Sequence, residues 1–291
     1  MIKVTVFTPT FNRAHVLKRC YLSILDQHRD DIEWLIIDDG STDDTANIVK
    51  GFKNENKLKI KYIYQDNSGK QAAWNKAVEN ASGDYFIGVD SDDILVSDSI
   101  SQLLEVSTVF ADNSIIGIRA ISMNSEKMKP DSLYLYGHNS KSSWFDEFRS
   151  GLRGERIDFF KTKILKKYLY PINENIKFIP EIWFYSTVSK DYCFYYSSIH
   201  VGVFFDDDQT NRLSKSSIKK HATGHYISRK ALLEHIPLKI WLSRPLDFLK
   251  SVLRINQALV MMDAEYIDHN RSSLLVRMVT LPGVIVRKIK R

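Results

Sequence analysis

The first hundred residues switch back and forth between two hydrophobic periods, and no other feature constrains the fold as tightly. Residues 3–8 carry the two-residue alternation of a strand, and residues 14–27 then place Val16, Leu17, Cys20, Tyr21, Ile24 and Leu25 at helical spacing. A strand over 33–37 leads into Asp38-Asp39-Gly40-Ser41, where Ser41-Thr42-Asp43-Asp44 offers a capping-box start for a helix over 45–52. The order then repeats: a strand over 59–64, a helix over 70–81 stopped by Gly83, a strand over 85–89 and a helix from about 98 to 110. Such alternation calls for an α/β fold, a parallel sheet with helices on both faces, in which ligands bind beyond the carboxyl ends of the strands. Those ends carry Thr8-Pro9-Thr10-Phe11-Asn12-Arg13, Asp38-Asp39, Gln65-Asp66-Asn67 and Asp90-Ser91-Asp92-Asp93. Polar and acidic clusters are therefore expected along one rim.

With 291 residues, 44% of them hydrophobic, the chain suffices for one large domain or two small ones. No self-similar period runs along it, which sets repeat architectures aside. The formal charge of +6 is unevenly placed: from Ser216 onward 14 Lys and Arg stand against 5 Asp and Glu. A tail this basic seeks an anionic surface, either nucleic acid or the acidic leaflet of a membrane. Cys20 and Cys193 sit far apart in apolar stretches, without a second Cys or His at ligand spacing, and are expected as reduced core residues. The N-terminus enters a strand pattern without a charged-then-apolar leader. Residues 274–286 are interrupted by Arg277, Pro282 and Gly283 and fall short of the roughly 18 unbroken apolar residues of a spanning helix. The expectation is a cytoplasmic protein, at most attached to a membrane surface.

Asp90 and Asp92 stand two apart in extended chain, so their carboxylates share a side, with Asp93 close behind. Such a cluster on a strand end suits Mg2+ or Mn2+ shared with a substrate diphosphate, because these ions keep positions open for phosphate oxygens. An Asx-rich turn capping the next helix is the alternative. Asp38-Asp39 either caps a helix or accepts an N–H from a nucleobase. Phe11 offers that base an aromatic face and Arg13 offers phosphates a cation; otherwise they are a core ring and a solvated helix-start charge. Gly69-Lys70-Gln71 opens a helix where free N–H groups and a lysine can meet phosphate, although no Walker or G-x-G-x-x-G pattern is present. Lys70 and Asn75 read equally well as ordinary helix surface.

Taken together, Thr8-Pro9-Thr10-Phe11-Asn12-Arg13, Ile37-Asp38-Asp39-Gly40-Ser41-Thr42-Asp43, Asn75 to Gly83-Asp84-Tyr85, and Val89-Asp90-Ser91-Asp92-Asp93 closely resemble the family 2 glycosyltransferases in order and spacing. The resemblance implies the GT-A fold, a Rossmann-like mostly parallel sheet with helices on both faces, here followed by a C-terminal helical segment. It implies a nucleotide-sugar donor, with UDP the usual nucleotide, a Mn2+ or Mg2+ cofactor and inversion at the anomeric carbon. By motif position Thr8, Phe11, Arg13 and Asp39 would hold the base and its surroundings, and Lys70, Asn75, Asp90 and Ser91 complete the donor set. Asp90-Ser91-Asp92 corresponds to the family's D-x-D motif, with Asp92 the direct metal ligand, Asp90 near the ribose or the metal, and Asp93 in reserve.

An inverting transfer is one displacement and needs one general base to deprotonate the acceptor hydroxyl opposite the departing diphosphate. With the metal serving the leaving group, the base is sought as a carboxylate in the second half of the chain, partly shielded from water so that its pKa rises. Phe178-Ile179-Pro180-Glu181-Ile182-Trp183-Phe184 sets Glu181 among aromatic and aliphatic residues directly after a proline. This stretch also resembles a Phe-Ile-Pro-Glu segment in the acceptor region of some bacterial polysaccharide glycosyltransferases of the family, where the acid has this role. The commoner acid pair there is Glu-Asp, whereas Glu181 precedes Ile182. Capping the following helix is the other role open to Glu181. Asp206-Asp207-Asp208 splays its carboxylates around the chain and reads as a loop. His221 and His225 have metal-helix spacing, but Gly224 weakens the helix and no acid stands nearby in sequence.

Residues 238–260 interleave apolar residues, among them Trp241, Leu242, Leu246, Phe248, Leu249 and Leu253, with Lys239, Arg244, Lys250 and Arg254. Trp and Phe at the edge of such a basic helix suit a lipid headgroup layer, and Arg287-Lys288-Ile289-Lys290-Arg291 would add attraction to an acidic leaflet. Helices that only pack on the catalytic domain would show the same pattern. No nucleic-acid module accompanies the charge, so nucleic acid is not an expected partner. The expected organisation is a nucleotide-sugar-binding half over 1–110, an acceptor-binding half over 111–215 and a basic amphipathic helical segment over 216–291. The expected function is sugar transfer from a nucleotide-sugar to a glycan or lipid-linked acceptor in cell-surface polysaccharide synthesis, of capsule or O-antigen type, on the inner face of the cell membrane. Two readings compete with it: a membrane-docked nucleotide-binding protein without catalysis, and a sugar nucleotidyltransferase, whose Gly- and Arg-rich first loop does not match residues 8–13.

Overall fold

The computed structural model describes residues 1–152, 154–205, 218–262 and 272–289. The chain divides into two compact units, Met1–Ser143 with Ser150–Leu169 and Tyr192–Gln209, and Trp144–Arg149 with Tyr170–Asp191 and Thr210–Arg291.

In the first unit, strands β1 (Val4–Thr10), β2 (Ile32–Asp38), β3 (Lys59–Tyr64) and β4 (Tyr85–Gly88) alternate with helices α1 (Ala14–Leu25), α2 (Thr45–Asn54) and α3 (Lys70–Asn80). They pair in parallel in the order β3-β2-β1-β4, so all four strand tips open on the same rim. The chain continues through β5 (Ile94–Leu95), α4 (Ser99–Val106) with a 3-10 turn over Ser107–Ala111, β6 (Ile115–Asn124), β7 (Lys129–Pro130) and β8 (Ser140–Ser142). It then forms α5 (Trp144–Ser150), β9 (Arg156–Lys161), the one-turn α6 (Thr162–Leu165), and, after α7 (Ile182–Val188), β10 (Cys193–Phe204). Beyond β4 the sheet runs β9-β6-β10-β5, with β9 antiparallel to both β4 and β6. Local periodicity gives no warning of that reversal, because β9 returns from far downstream to pair with β4.

β2 is buried along its whole length, as a central strand covered on both faces must be. Its Trp34 stacks on Tyr21 of α1 at 5.7 Å, and Tyr21 stacks on Phe52 of α2 at 4.1 Å. Trp34→Ala would therefore cost about 3–5 kcal/mol. The buried acid in the strand, Glu33, is compensated: its carboxylate accepts bonds from the Thr5 hydroxyl and the Ser82 N–H, both at 2.6 Å.

Two helix ends differ from expectation. The start of α2 is not a Ser41–Asp44 capping box, because the Asn12 N–H engages the Ser41 hydroxyl at 2.9 Å and the Asp44 side chain makes no cap bond. The Asp43 carboxylate takes over, accepting from the N–H groups of Thr45 (3.1 Å) and Ala14 (3.0 Å). Gly83 lies beyond the last turn of α3, which ends at Asn80. A Cβ there would sit 2.6 Å from the Thr5 nitrogen, so glycine is required by the close crossing of β1.

The second unit is helical: α5 and α7 join α8 (Ala222–His235), α9 (Leu238–Ser243), α10 (Pro245–Met261) and α11 (Leu274–Ile289). The stretch 238–260 forms two helices, and Pro245 opens the second at its first position, where its missing N–H leaves no helical bond unmade. Trp241 is not at a helix edge facing solvent. It is buried between Phe148 (5.6 Å) and Phe248 (5.4 Å), and this aromatic packing overturns the headgroup-facing role expected of it. α10 and α11 meet where the Asn256 side chain accepts from the Gly283 N–H at 2.7 Å and donates to the Val279 carbonyl at 2.8 Å. Gly283 is again a close approach, with room for no Cβ against Asn256. Among the described residues no helix is long and apolar enough to cross a membrane.

Candidate active site

The strand tips of β1, β2 and β4 and the start of α3 bring most of the expected donor residues onto one rim. At the tip of β4, one oxygen from each of Asp90, Asp92 and Asp93 lies within 4.8 Å of the others. Two cations stand beside them. Lys70, the first residue of α3, places Nζ 2.9 Å from Asp90 Oδ2, and Arg13, at the start of α1, places Nη1 3.8 Å from Asp92 Oδ2. Ser91 is buried between the acids.

This cluster is under electrostatic load. Burial and the Asp90 charge raise the pKa of Asp92. Burial, Asp90 and Asp92 push Asp93 up to about 8. The neighbouring Cys20 thiol is pushed up to about 12, chiefly by burial, with the three aspartates adding to it. Cys20 is thus a neutral core thiol, as expected. Asp93 also has a structural duty, since Oδ1 accepts the Phe205 N–H at 3.1 Å.

The remaining donor residues divide into half-buried and buried. Phe11 is half-buried on the loop past β1, and Asn75 is half-buried on α3. Thr8 is fully buried, and its hydroxyl accepts from Trp34 Nε1 at 2.9 Å. Asp39 is buried and already engaged: Oδ1 accepts from Gln65 Nε2 (2.7 Å) and the Ser68 N–H (2.8 Å), and Oδ2 from the Gly69 N–H (2.8 Å). It thereby ties the tip of β2 to the loop that delivers Lys70. Asp38 is buried and accepts from the Ser41 N–H and the Tyr62 hydroxyl. Gly40 holds a φ of +90°, and a Cβ there would lie 2.9 Å from the Asn67 nitrogen, so only glycine fits this corner.

Two further residues that tie the rim together are not assigned a role by the sequence pattern. Asn12, at a φ of 54°, accepts from the Thr42 N–H (2.8 Å) and the Asp43 N–H (3.3 Å), latching the β1 loop to the β2 loop. An asparagine just before a helix is a residue tolerant of positive φ, which is the clue it offers. Arg19 donates to the Asp92 carbonyl and lays its guanidinium 3.7 Å from the centre of the Phe205 ring. Nothing local marks Arg19, because its partners are distant in the chain.

In the second unit, Glu181 directly precedes α7 and its side chain makes no bond to the helix start. It is exposed and not shielded as expected. The Tyr170 phenol is held well above its usual pKa by burial, with the Glu181 charge adding to it. The Phe178-Ile179-Pro180 segment before Glu181 rests on α8, where a Cβ on Gly224 would lie 1.8 Å from the Phe178 carbonyl oxygen. His221 and His225 pack on the Phe178 ring at 5.2 and 6.1 Å, and no metal-ligand group forms around them among the described residues. Burial lowers both of their pKa values, His225 to about 4. Asp206-Asp207-Asp208 lies outside the described residues.

A mostly parallel sheet thus carries three aspartates at one strand tip, with a cation from each of two helix starts beside them. The sequence profile described as Glycosyl transferase family 2 matches residues 5–171, more than half the chain. The chain belongs to glycosyltransferase family 2. It is similar to the glycosyltransferase GlyA of Streptococcus pneumoniae, 41% identical over 101 residues, which are 35% of this chain and 14% of that protein. It is 35% identical over 107 residues to a Campylobacter jejuni GalNAc(5)-diNAcBac-PP-undecaprenol beta-1,3-glucosyltransferase, covering 36% of this chain and 34% of that one. The chain thus matches only a minor part of these relatives' lengths. The crystal structure of S. aureus TarS 1-349 in complex with UDP superposes with a TM-score of 0.62 at 18% identity, over 89% of this chain and 71% of that one. The fold is accordingly GT-A, with a helical C-terminal segment.

Proposed function

We propose that the chain is an inverting, metal-dependent glycosyltransferase that moves a sugar from a UDP-sugar to a hydroxyl of a glycan or lipid-linked acceptor in cell-surface polysaccharide synthesis. The convergence of Asp90, Asp92 and Asp93 at the tip of β4, with Arg13 and Lys70 beside them, carries this reading. A cluster in which neighbouring carboxylates raise the pKa values of Asp92 and Asp93 fits a hard dication, which offsets the repulsion and takes oxygen ligands. Mn2+ or Mg2+ held there would neutralise charge on the diphosphate as it departs. Arg13 and Lys70 meet the remaining phosphate charge, Phe11 presents a ring face to the base, and Thr8, Asp39, Asn75 and Ser91 belong to the same donor pocket. UDP bound to TarS supports the choice of nucleotide.

Glu181 is assigned as the general base, a role supported by the resemblance of Phe178-Ile179-Pro180-Glu181 to the acceptor-region segment of some members of the family. The acceptor oxygen bonds to the anomeric carbon from the side opposite the nucleotide, and the bond from that carbon to the phosphate oxygen breaks. The acceptor proton passes to Glu181, and the bonding electron pair leaves with the diphosphate. Residues 1–110 are assigned to the donor, 111–215 to the acceptor and 216–291 to attachment at the acidic inner face of the membrane. The undecaprenol-linked acceptor in the name of the C. jejuni relative supports a lipid-linked substrate.

A panel of UDP-, GDP- and dTDP-sugars with Mn2+, read by nucleotide release, tests the reading. UDP release should dominate and should fall to background in Glu181→Gln while UDP binding persists. Wild-type release by Glu181→Gln removes the base assignment. Pyrophosphate formed from a sugar phosphate and a nucleoside triphosphate would make the protein a nucleotidyltransferase, and binding without release of any product would make it a non-catalytic nucleotide binder.

A further inference from the structure

The helices of the second unit leave large apolar side chains in water in a regular order. On α10, Leu246, Leu249 and Leu253 are 70%, 52% and 55% exposed, at the i, i+3, i+7 spacing of one helix face. The buried residues of the same helix, Ser251, Ile255, Ala258 and Leu259, occupy another face, so the helix has its core contact already. On α11, Leu274, Met278, Leu281 and Ile285 repeat the pattern, with Met278 66% exposed, while Val276, Thr280 and Gly283 are buried. Scattered exposed leucines need no explanation, but two helix-length rows do.

Among the described residues, the exposed charges beside these rows are cations. Lys250 and Arg254 adjoin Leu249 and Leu253, and Arg277 adjoins Met278, all exposed. The acid on α9 to α11 among the described residues is Asp247, and it is half-buried in an ion pair with Arg244 at 2.7 Å. Pairing this face with the same face of a second copy would set cation rows against each other, whereas an anionic lipid surface complements both the charge and the apolar rows.

We propose that the outer faces of α10 and α11 are a membrane-docking surface, with Leu246, Leu249, Leu253 and Met278 entering the acyl boundary and Lys250, Arg254 and Arg277 meeting anionic headgroups. The proposal sharpens the membrane attachment in the functional reading above and is independent of its donor chemistry.

Co-sedimentation of the full chain with vesicles of phosphatidylglycerol and phosphatidylcholine, against phosphatidylcholine alone, tests it. Wild type should bind the anionic vesicles preferentially. Leu249→Gln/Leu253→Gln, which leaves the net charge and the core untouched, should bind at least about tenfold more weakly, as expected for losing two inserted leucines. Lys250→Gln/Arg254→Gln should lose roughly fivefold for each cation, with that loss vanishing at high salt. If wild type binds and the leucine variant binds equally well, the attachment stands and this face is the wrong surface. If wild type ignores anionic vesicles altogether, the attachment itself fails. A concentration-dependent dimer abolished by the leucine substitutions would assign the face to self-association and overturn the proposal. UDP affinity, measured on the same samples, should be unchanged in both variants, which separates this result from any failure of the donor site.

Discussion

The tip of β4 and the outer face of α10 keep opposite kinds of unfavourable arrangement. At the tip, Asp90, Asp92 and Asp93 hold like charge together in partial burial, and the pKa values of Asp92 and Asp93 rise in response. On α10, leucines stay in water beside the exposed cations Lys250 and Arg254. Each arrangement is costly in the isolated chain, and each would be relieved by a different partner, a dication in one place and an anionic bilayer in the other. The lesson is that unrelieved local cost, of whichever kind, is a better guide to a ligand's chemistry than the residue types taken alone.

The largest effect should separate the two regions cleanly. Asp92→Asn is expected to reduce sugar transfer by a factor on the order of 10²–10³, the scale for removing one preorganised electrostatic group, while leaving vesicle binding at the wild-type level. Steady-state rates and vesicle co-sedimentation on one preparation check this, and a parallel loss of both would dissolve the distinction. Next in size, Arg19→Met should weaken Mn2+ binding by about 10–100-fold, the usual scale for a group that orients a ligating segment. The carbonyl of Asp92 loses its donor in that variant, and a manganese titration followed by thermal shift would detect the change.

A third substitution acts on the other region. Gly224→Ala would force a Cβ against the Phe178 carbonyl and should destabilise the chain by about 1–3 kcal/mol, read as a lower unfolding midpoint. Transfer should suffer through the displaced segment ahead of Glu181, with UDP affinity retained; a matching loss of UDP affinity would show that the two units share their stability.

The smallest effect is in the pH response, which has opposite sign at the β4 tip and in the half-buried histidines of α8. Burial and the charges of Asp90 and Asp92 push Asp93 up from 3.8 to about 8, so between those values the folded state holds a proton that the unfolded chain releases. Its contribution is therefore lost as pH rises through that window. His225 and His235 are lowered by burial from 6.5 to about 4, so the unfolded chain takes up protons first, and their contribution is lost as pH falls from about 6.5 toward 4. Metal-free Asp93→Asn should lose less stability than wild type between pH 5 and about 8, and His225→Gln should flatten the acid side. Thermal unfolding across pH checks both.

How much of this was legible beforehand follows the same division. The first four strands and three helices can be read residue by residue, because each is a local period bounded by Gly, Asp or Ser, and parallel pairing then forces their tips together. The acid cluster at β4 is legible for that reason. What escapes is long-range: the antiparallel insertion of β9, the reach of Arg19 to Asp92, and the latch of Asn12 across two loops. In the second unit the basic amphipathic character is plain, but which face is buried is not. Trp241 looks like an interfacial residue until Phe148 and Phe248 enclose it, and the exposed row belongs to leucines instead. Glu181 stands in an apolar run of sequence yet lies in solvent, since Ile182-Trp183-Phe184 turn into a helix immediately after it.

The central claim is that a divalent ion held at the β4 tip is what secures the nucleotide diphosphate. Calorimetric titration of UDP into the wild-type chain and into Asp90→Asn/Asp92→Asn, each with Mn2+ and with a chelator, addresses it directly. The account predicts measurable heat in a single case, wild type with Mn2+. UDP binding of equal affinity in the presence of chelator, or in the double variant with Mn2+, would contradict it.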